Sequence, residues 1–328
     1  MNMRAIVIRG AGGPEVLEPA DVARPVPGAA HIRVRVHATA VNRADLMQRR
    51  GGYPAPAGWP ANIPGLEYAG VVDAAGAGVK RFRGGERVLG LVGGGSYAEY
   101  VVVHEDEALP MPDVLSFEEA AAIPEAFLTA HDALRMRLQV PLEASGSILI
   151  HAVASGVGTA AAQLAHVMGL QVFGTARSAW KLEQIRDLTP ATLIDVTRAD
   201  FVDVIREQIG GVDYVMDLVG GEYLEKNMLA AAQLGRIVLV GLVAGSTARL
   251  DLRILLNKRL TITGTVLRAR SLEEKIEVAR LFEQEVLPWF ATRQVRPVID
   301  RVLSMSEVGE AHRLAEANET VGKVVLVW

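Results

Sequence analysis

The stretch that decides the fold is ILIHAVASGVGTAA, residues 148–161. An apolar run is followed by small residues, and Gly156-x-Gly158-x-x-Ala161 opens a stretch of helical character. A tight turn between a buried strand and a helix aims backbone N–H groups at the pyrophosphate of a dinucleotide, and small residues leave room for that approach. Because a strand precedes the glycines and a helix follows them, we predict a dinucleotide site here. A Gly-rich packing turn in another kind of α/β protein is the alternative.

Strands and helices alternate around this stretch, from about residue 116 to residue 265. We predict buried strands at 148–151, 171–175, 192–195, 212–216, 236–240 and 261–264. The intervening helices are predicted at 156–168, 179–187, 199–208, 222–232 and 252–257. Such alternation indicates βαβ units and a doubly wound parallel sheet.

The first third of the chain has a different sequence pattern and is predicted to be β-rich. Residues 31–38 alternate apolar and polar side chains, which is typical of a half-buried strand. A short helix is predicted after Asn42, in the segment ADLMQRR. Residues 51–65 contain prolines at 54, 56, 60 and 64, so we predict a long irregular loop there.

Near the C-terminus we predict an amphipathic helix at 272–290 and a closing strand at 324–327. The resulting fold class is α/β, with a β-rich domain interrupted by a nucleotide-binding domain. We predict residues 1–125 for the first part of the β-rich domain, 126–265 for the nucleotide-binding domain and 266–328 for the segment that completes the first domain.

Composition excludes several classes of protein. The chain has 328 residues, of which 50% are hydrophobic, and a formal net charge of -4, which argues against a nucleic-acid-binding protein. It contains no cysteine, which removes disulfides, thiolate catalysis and Cys-based zinc sites. Residues 144–176 carry no charge, but hydroxyl groups, histidines and glycines interrupt them, so we read a buried strand–turn–helix–strand and not a membrane span. The expected location is the cytoplasm.

The residues after the second predicted strand bear on the choice of cofactor. An NAD enzyme places Asp or Glu about 20 residues past the glycines, to hold the ribose 2′-hydroxyl. This chain has Thr175-Ala176-Arg177-Ser178-Ala179-Trp180-Lys181, with two cations and no carboxylate. Because Arg and Lys pair well with a 2′-phosphate, the segment favours NADPH. The alternative is that Lys181 is only a solvated helix residue.

Several stretches together resemble a known family. They are VNRADLMQRRGGYPAP (41–56), AAAIPEAFLTA (120–130), IHAVASGVGTAAAQLA (150–165), DLVGGEYLEKN (217–227) and VGKVVL (321–326). On these residues the chain resembles the quinone oxidoreductase branch of the zinc-independent medium-chain dehydrogenases/reductases. The resemblance implies a GroES-like catalytic domain, a Rossmann domain and a homodimer, or a tetramer, with residues 260–267 at the dimer interface.

The resemblance also implies the residues that bind NADPH. In the family's register the cofactor loop is Ala154, Ser155, Gly156, Val157 and Gly158. Ser178 and Lys181 match the segment at the 2′-phosphate, and Arg177 is expected to strengthen it. The residues implied at the nicotinamide half and its surroundings are Thr129, Val219, Gly241, Leu242, Val243 and Leu267. One departure is Val196, which stands where relatives commonly have a tyrosine near the adenosine.

Zinc-dependent relatives use Cys and His ligands. Here Leu66 precedes Glu67 where a His is needed, so we expect no metal. His31 and His37 alternate with arginines on the polar side of a strand, so we expect surface roles for them.

Without a metal or cysteine, hydride transfer from the nicotinamide to a quinone or an α,β-unsaturated carbonyl is the expected chemistry. The protein then has to hydrogen-bond the oxygen on which negative charge develops. The candidates are Asn42 and Tyr53, with Asp45 in support. Asn42 and Asp45 are also typical of a helix N-terminus, and Tyr53 is equally suited to packing beneath its loop.

Three functions follow from these residues. The first is an NADPH-dependent quinone oxidoreductase with a small-molecule acceptor. The second is an enoyl or enone reductase that uses the same hydride chemistry on a C=C bond. The third is a nucleotide-linked RNA-binding or structural protein, for which Arg49-Arg50 and Lys80-Arg81 offer local basic residues but no aromatic platform.

Overall fold

A computed structural model describes residues 1–328 and divides into two compact units. The first unit comprises Met1–Leu128 and Leu267–Trp328, and the second comprises Thr129–Val266. The sequence placed the first junction at 125/126, three residues earlier. The difference arises because the segment before residue 129 packs within the first unit: the Glu125 N–H donates to Glu67 at 2.8 Å, and the Phe127 and Phe290 rings lie 4.8 Å apart.

The strands, in chain order, are β1 (Asn2–Ile8), β2 (Leu17–Ala23), β3 (His31–Ala40), β4 (Glu67–Ala75), β5 (Arg87–Leu91), β6 (Tyr100–His104), β7 (Ala108–Pro110), β8 (Ser147–Ile150), β9 (Gln171–Ala176), β10 (Ala191–Asp195), β11 (Val212–Asp217), β12 (Ala231–Leu239), β13 (Thr261–Gly264), β14 (Ile299–Ser304) and β15 (Lys323–Val327). The α-helices are α1 (Arg43–Arg49), α2 (Phe117–Ala121), α3 (Thr129–His131), α4 (Gly156–Val167), α5 (Ala179–Gln184), α6 (Phe201–Ile209), α7 (Tyr223–Ala230), α8 (Leu252–Lys258), α9 (Leu272–Glu285), α10 (Leu287–Ala291) and α11 (Val308–Ala317). Short 3₁₀ turns lie at Pro14–Val16 and Met305–Glu307, and π-helical segments at Pro124–Leu128 and Asp132–Arg137.

The second unit is the predicted doubly wound sheet. Its six strands are all parallel, in the order β10-β9-β8-β11-β12-β13, which is the 3-2-1-4-5-6 order of dinucleotide-binding folds. Fully buried apolar side chains such as Leu149, Phe173 and Ile237 form its core. β12 begins at Ala231, earlier than the predicted residue 236, because Ala231 already pairs with Val212 before the register of the two strands shifts.

The first unit is built on a seven-stranded sheet and a separate two-stranded sheet, β1-β2. The larger sheet has the order β14-β15-β3-β4-β5-β7, and β6 pairs with β3. Ile32, Val34 and Val36 are buried along β3, which explains the alternation seen in its sequence. The loop predicted at 51–65 contains no helix or strand. β14 and β15, which complete the sheet, come from the C-terminal segment.

The long helix predicted at 272–290 is divided in two. α9 ends at Glu285, and α10 begins at Leu287 with Pro288 in its first turn. Proline has no N–H to donate and its ring clashes with the preceding turn, so a helix is interrupted before it and can begin again with it. None of the helices in the chain combines the length and the apolar character that a membrane crossing requires.

Candidate active site

The predicted cofactor loop lies between β8 and α4 in the second unit. Ser155 caps α4, because its Oγ accepts from the Gly158 N–H at 3.0 Å. A Cβ at Gly158 would lie 2.3 Å from the Ala152 carbonyl oxygen, and Ala152 itself adopts a positive φ of 48°. The N–H groups of Gly156 and Val157 have no partner within the chain. The loop therefore presents free donors and a closely approachable backbone, which is what a bound pyrophosphate needs.

The end of β9 carries positive charge and no carboxylate. Arg177 is exposed and forms no hydrogen bond or ion pair, Ser178 is the N-cap residue of α5, and Lys181 lies half-buried in that helix. The nearest acidic side chain on the neighbouring strand is Asp195, which pairs in register with Ala176. Hydrogen bonds from the Thr197 side chain and N–H engage its carboxylate and lower its pKa. These residues fit a 2′-phosphate better than a free ribose hydroxyl.

The loops after β11 and β12, at the carboxyl edge of the same sheet, are joined by a backbone hydrogen bond. The Asp217 carboxylate accepts from the N–H groups of Val219 at 2.7 Å and Gly220 at 2.9 Å. The Ala244 N–H donates to the Val219 carbonyl at 2.8 Å. This pairing leaves Leu242 55% exposed on the edge where a parallel sheet binds ligands.

The remaining residues predicted to contact the nicotinamide half belong to both units. Gly241 and Val243 flank Leu242 in the loop after β12, and a Cβ at Gly241 would lie 2.6 Å from the Leu218 carbonyl oxygen. Thr129 is buried at the start of α3, in the second unit, whereas Leu267 belongs to the first. Val196, which stands where relatives commonly have a tyrosine, packs against the hydrophobic core of the second unit.

A series of hydrogen bonds between buried side chains, which the sequence did not indicate, leads to Asp217 at this edge. The Oγ1 of Thr175 lies 2.8 Å from His151 Nδ1, and Asn227 Oδ1 lies 2.6 Å from His151 Nε2. Asn227 Nδ2 then donates to Asp217 at 2.8 Å. Burial lowers the pKa of His151. Because one end of the series is the carboxylate that holds Val219, the series positions that loop.

In the first unit, hydrogen bonds within the protein hold the side chain of Asn42. Its Nδ2 donates to Glu67 Oε1 at 2.7 Å and to the Ala40 carbonyl at 3.3 Å, and its Oδ1 accepts from Lys323 Nζ at 2.5 Å. Both amide hydrogens are therefore engaged within the protein. This geometry favours a positioning role for Asn42 over donation to a bound oxygen.

Asp45 is fully buried and joins α1 to the end of the Pro-rich loop. One of its carboxylate oxygens accepts from the Asn42 N–H at 2.8 Å, and the other from the Gly65 N–H at 2.9 Å. The first of these bonds is the return half of a capping box. Burial raises the pKa of Asp45 to about 6, against the two backbone hydrogen bonds. Both carboxylate oxygens of Asp45 are thus engaged within the protein.

Tyr53 is the predicted residue whose polar atom is free. Its hydroxyl has no hydrogen bond within the protein, and burial raises its pKa above the ordinary value. The guanidinium of Arg268 lies 4.9 Å from the centre of its ring and donates to its carbonyl at 3.3 Å. Arg268 also donates to Gly93 O at 2.9 Å and Gln48 Oε1 at 2.5 Å. Tyr53 is consequently a neutral donor held beside a fixed cation.

Four charged residues of this region were not singled out from the sequence. Lys323 is 5% exposed and lies 2.8 Å from Glu67, which is itself fully buried, and Glu67 also accepts from the Glu125 N–H. Arg268 is the fourth. Glu125 and Lys323 lie within AAAIPEAFLTA and VGKVVL, two of the stretches that carried the resemblance, but their apolar neighbours gave no sign of a shared cluster.

The structure offers no fit for a zinc ion. It contains no group of three or more His, Cys, Asp or Glu side chains that could hold a metal ion. His31 packs edge-on against His104, with ring centres 5.3 Å apart, and His37 stacks on Phe117 at 4.2 Å. Both histidines are partly exposed and pack against other rings.

Two family models match the chain. The alcohol dehydrogenase GroES-like domain matches residues 28–113, in the first unit. The zinc-binding dehydrogenase model matches residues 156–284, which cover most of the second unit from the cofactor loop onward.

Known proteins resemble the whole chain. The quinone oxidoreductase of Mus musculus is 30% identical over 99% of this chain and 98% of its own. The structure of Escherichia coli quinone oxidoreductase complexed with NADPH has a TM-score of 0.86 at 28% identity, covering 99% of this chain and all of that one. A structure described as an NAD-dependent alcohol dehydrogenase has a TM-score of 0.87 at 34% identity, with 99% and 100% covered. The chain therefore belongs to the medium-chain dehydrogenase/reductase family, in its quinone oxidoreductase branch, and is an oxidoreductase of that family.

Proposed function

We propose that the protein is an NADPH-dependent quinone oxidoreductase that works without a metal ion. The observation that carries this proposal is the Tyr53 hydroxyl, which is neutral, unengaged and held beside the Arg268 cation. A donor of this kind suits an acceptor whose oxygen becomes negatively charged during reduction. The relatives described as quinone oxidoreductases support the same acceptor class.

The residues of the second unit fit a phosphorylated nicotinamide dinucleotide. The loop from Ala154 to Gly158 would hold the pyrophosphate, and Arg177, Ser178 and Lys181 would hold the 2′-phosphate. We assign the nicotinamide half to Thr129, Val219, Gly241, Leu242, Val243 and Leu267. When bound, the reduced cofactor supplies a hydride.

The first unit then orients the acceptor and stabilises its charge. Tyr53 donates its phenolic hydrogen bond to the acceptor oxygen, and Arg268 adds a positive charge at the ring of Tyr53. Asn42 and Asp45 act indirectly, because their hydrogen bonds fix α1 and the end of the Pro-rich loop. Their removal is expected to disturb the position of Tyr53 rather than to remove a donor.

We also propose that the protein forms a homodimer through the edge of the second unit. β13 pairs only with β12, so its other edge is open. Leu252 and Leu256 on the adjacent α8 are 60% and 72% exposed, and Val266 after β13 is 51% exposed. An open strand edge beside exposed apolar residues is typical of an interface. Light scattering of the purified protein should give twice the chain mass, and Leu256→Glu should shift it toward the monomer.

The test of function has a binding arm and a turnover arm. Calorimetry should show NADPH binding more tightly than NADH, and Arg177→Ala should weaken NADPH binding about 10-fold while leaving NADH binding unchanged. Arg186→Ala, at an exposed position after α5, is the matched control. Equal binding of the two cofactors to the unaltered protein would refute the phosphate site.

For turnover, NADPH oxidation is followed with a panel of ortho- and para-quinones and of enones. We expect oxidation above background with quinones. Reduction of enones alone, with deuterium delivered from labelled NADPH to the β-carbon, would instead identify an enone reductase.

A further inference from the structure

We propose that Glu107 and Glu125 form a proton path through the first unit that resupplies the Tyr53 phenol. This inference rests on the proposed function and adds to it the source of the proton that the reaction consumes.

A small cavity lies against the side chain of Arg268. Its volume is about 30 Å³, and its polar lining consists of Glu107, Glu125, Arg268 and Lys275. Such a volume holds a single water, and a water is stable where two to four polar groups surround it. Tyr53 does not line the cavity, but Arg268 does, and the Arg268 guanidinium lies 4.9 Å from the centre of the Tyr53 ring. The charge of Glu125 also acts on Tyr53 and raises its pKa, so the proposed path runs from the cavity past Arg268 to the phenol.

A second, larger cavity shares the side chains of Glu107 and Lys275 with the small one. It measures about 590 Å³, and the Pro-rich loop residues Pro56–Pro60 form part of its wall. Glu107 and Lys275 line both cavities and stand between them. Solvent in the larger cavity therefore reaches Glu107, and Glu107 faces the small cavity in which Glu125 lies.

Neither carboxyl group is consumed by a structural bond. The side chains of Glu107 and Glu125 form no hydrogen bond and no ion pair, in contrast to the neighbouring Glu67, whose oxygens are all engaged. The backbone N–H of Glu125 anchors it to Glu67 and leaves its carboxyl group available. Half-buried carboxyl groups without a partner, on a small and mainly apolar cavity, are suited to carrying protons and not to supporting the fold.

The charges around the two groups place their titration near neutral pH. Burial raises the pKa of Glu125 to about 7; Glu67 and Asp45 add to this, whereas Lys323 and Arg268 oppose it. Burial likewise raises the pKa of Glu107 to about 7, against the attraction of Lys275. Each carboxyl group can therefore both give and take a proton at the pH at which the enzyme would work.

The proton balance of the reaction gives the path its purpose. Reduction of a quinone to a hydroquinone adds one hydride, with its electron pair, and one proton. Tyr53 gives its phenolic proton to the negatively charged oxygen, and Arg268 stabilises the phenolate that remains. Glu125 returns a proton to the phenolate through the water of the small cavity. Glu107 restores Glu125 from the solvent side. The oxidised cofactor and the neutral hydroquinone are the products.

The experiment compares Glu125→Gln and Glu107→Gln with Glu277→Gln, an exposed substitution on α9 that serves as control. The rate kcat is measured with a quinone between pH 5.5 and 9 at saturating NADPH. Thermal midpoints and NADPH affinity are measured in parallel. The unaltered enzyme should lose kcat as pH rises through about 7, because the donor loses its proton. Glu125→Gln should lower kcat about 10- to 100-fold at pH 7, abolish this pH dependence and recover part of the rate when imidazole is added.

Glu107→Gln should slow the reaction less and mainly at high pH, and Glu277→Gln should match the unaltered enzyme. A folded Glu125→Gln variant with the original rate and pH profile would overturn the proton path and leave the quinone oxidoreductase standing. If Glu125→Gln does not fold, Glu107→Gln decides by the same criterion. An unaltered enzyme that reduces no acceptor would remove the proposed function, and the path with it.

Discussion

The hydrogen bonds of single side chains distinguish Asn42 and Asp45, which are engaged within the protein, from Tyr53, whose hydroxyl has no partner there. Asn42 and Tyr53 are both polar, both near the Pro-rich loop, and equally good candidates on chemical grounds. The amide of Asn42 is fully engaged by Glu67, Lys323 and the Ala40 carbonyl, whereas the hydroxyl of Tyr53 is not engaged at all. A donor already satisfied gains little from a new acceptor.

Tyr53→Phe tests this distinction. The substitution removes one hydroxyl and keeps the ring that packs on Arg268. We expect kcat with a quinone to fall about 100-fold, the effect of losing one aligned donor, with unchanged affinity for NADPH. Tyr100→Phe, on β6 of the same unit, should leave kcat unchanged. Equal rates for Tyr53→Phe and the unaltered enzyme would show that the phenol is not the donor.

The turn between β8 and α4 shows how one element is shaped by the atoms that approach it. The α4 helix begins one residue after Ser155, whose side chain caps it, and the chain before it folds back over Gly158. Only hydrogen at the Cα of Gly158 leaves room for the Ala152 carbonyl and the Val153 backbone. Glycine here is a requirement of helix-to-strand packing as well as of phosphate access.

Gly158→Ala should therefore disrupt both. The added Cβ would lie 2.3 Å from a carbonyl oxygen, so the turn has to move. We expect a loss of about 1–3 kcal/mol in the free energy of unfolding and weaker NADPH binding. Gly84→Ala is the control, because a Cβ there meets no atom within 4 Å. Denaturant unfolding and calorimetry measure the two effects. A variant as stable as the control would contradict the packing argument.

In the first unit, residues that are far apart in the chain pair with each other and complete the larger sheet. β15, near the C-terminus, pairs with β3, and Lys323 at its start forms a buried ion pair with Glu67 at the start of β4. A buried carboxylate is tolerated only while its partner charge and hydrogen bonds remain. The interaction thus links the C-terminal segment to the N-terminal part of the unit.

Lys323→Met leaves Glu67 charged, buried and without its cation. We expect a loss of about 3–5 kcal/mol in the free energy of unfolding. The double variant Glu67→Gln/Lys323→Met should recover a large part of it, since no unpaired charge remains. Denaturant titration measures all three proteins. If the double variant were no more stable than Lys323→Met, an uncompensated charge would not be the cause.

Burial of His312 in the first unit makes the free energy of unfolding depend on pH. His312 on α11 lies between the guanidinium of Arg49 and the hydroxyl of Tyr97, each 3.2 Å from one ring nitrogen. Burial and, secondarily, Arg49 lower the pKa of His312 to about 3, whereas the unfolded chain has the ordinary value of 6.5. The unfolded state therefore takes up this proton first as pH falls.

Its contribution to stability is complete above pH 6.5 and is lost toward pH 3, at about 1.4 kcal/mol per pH unit. His312→Gln should show a shallower decline in the free energy of unfolding between pH 6 and 4. His166→Gln, on α4 at an exposed position, is the control and should retain the steep decline. Identical slopes for His312→Gln and the control would argue against a neutral buried histidine.

Sequence patterns were sufficient for the doubly wound sheet, the β-rich unit and the glycine turn between β8 and α4. These features depend on local spacing, that is, on strand and helix periods and on the glycines between them. The preference of the segment around Arg177 for a negatively charged group could be predicted for the same reason. The cluster of Glu67, Glu125, Arg268 and Lys323 could not be found in this way. These side chains are up to 256 positions apart in the chain, from 67 to 323, and each stands among apolar neighbours. They share a site only because β4, β15 and the segments beside them fold together, and only that packing shows which polar atoms are engaged and which remain free to act.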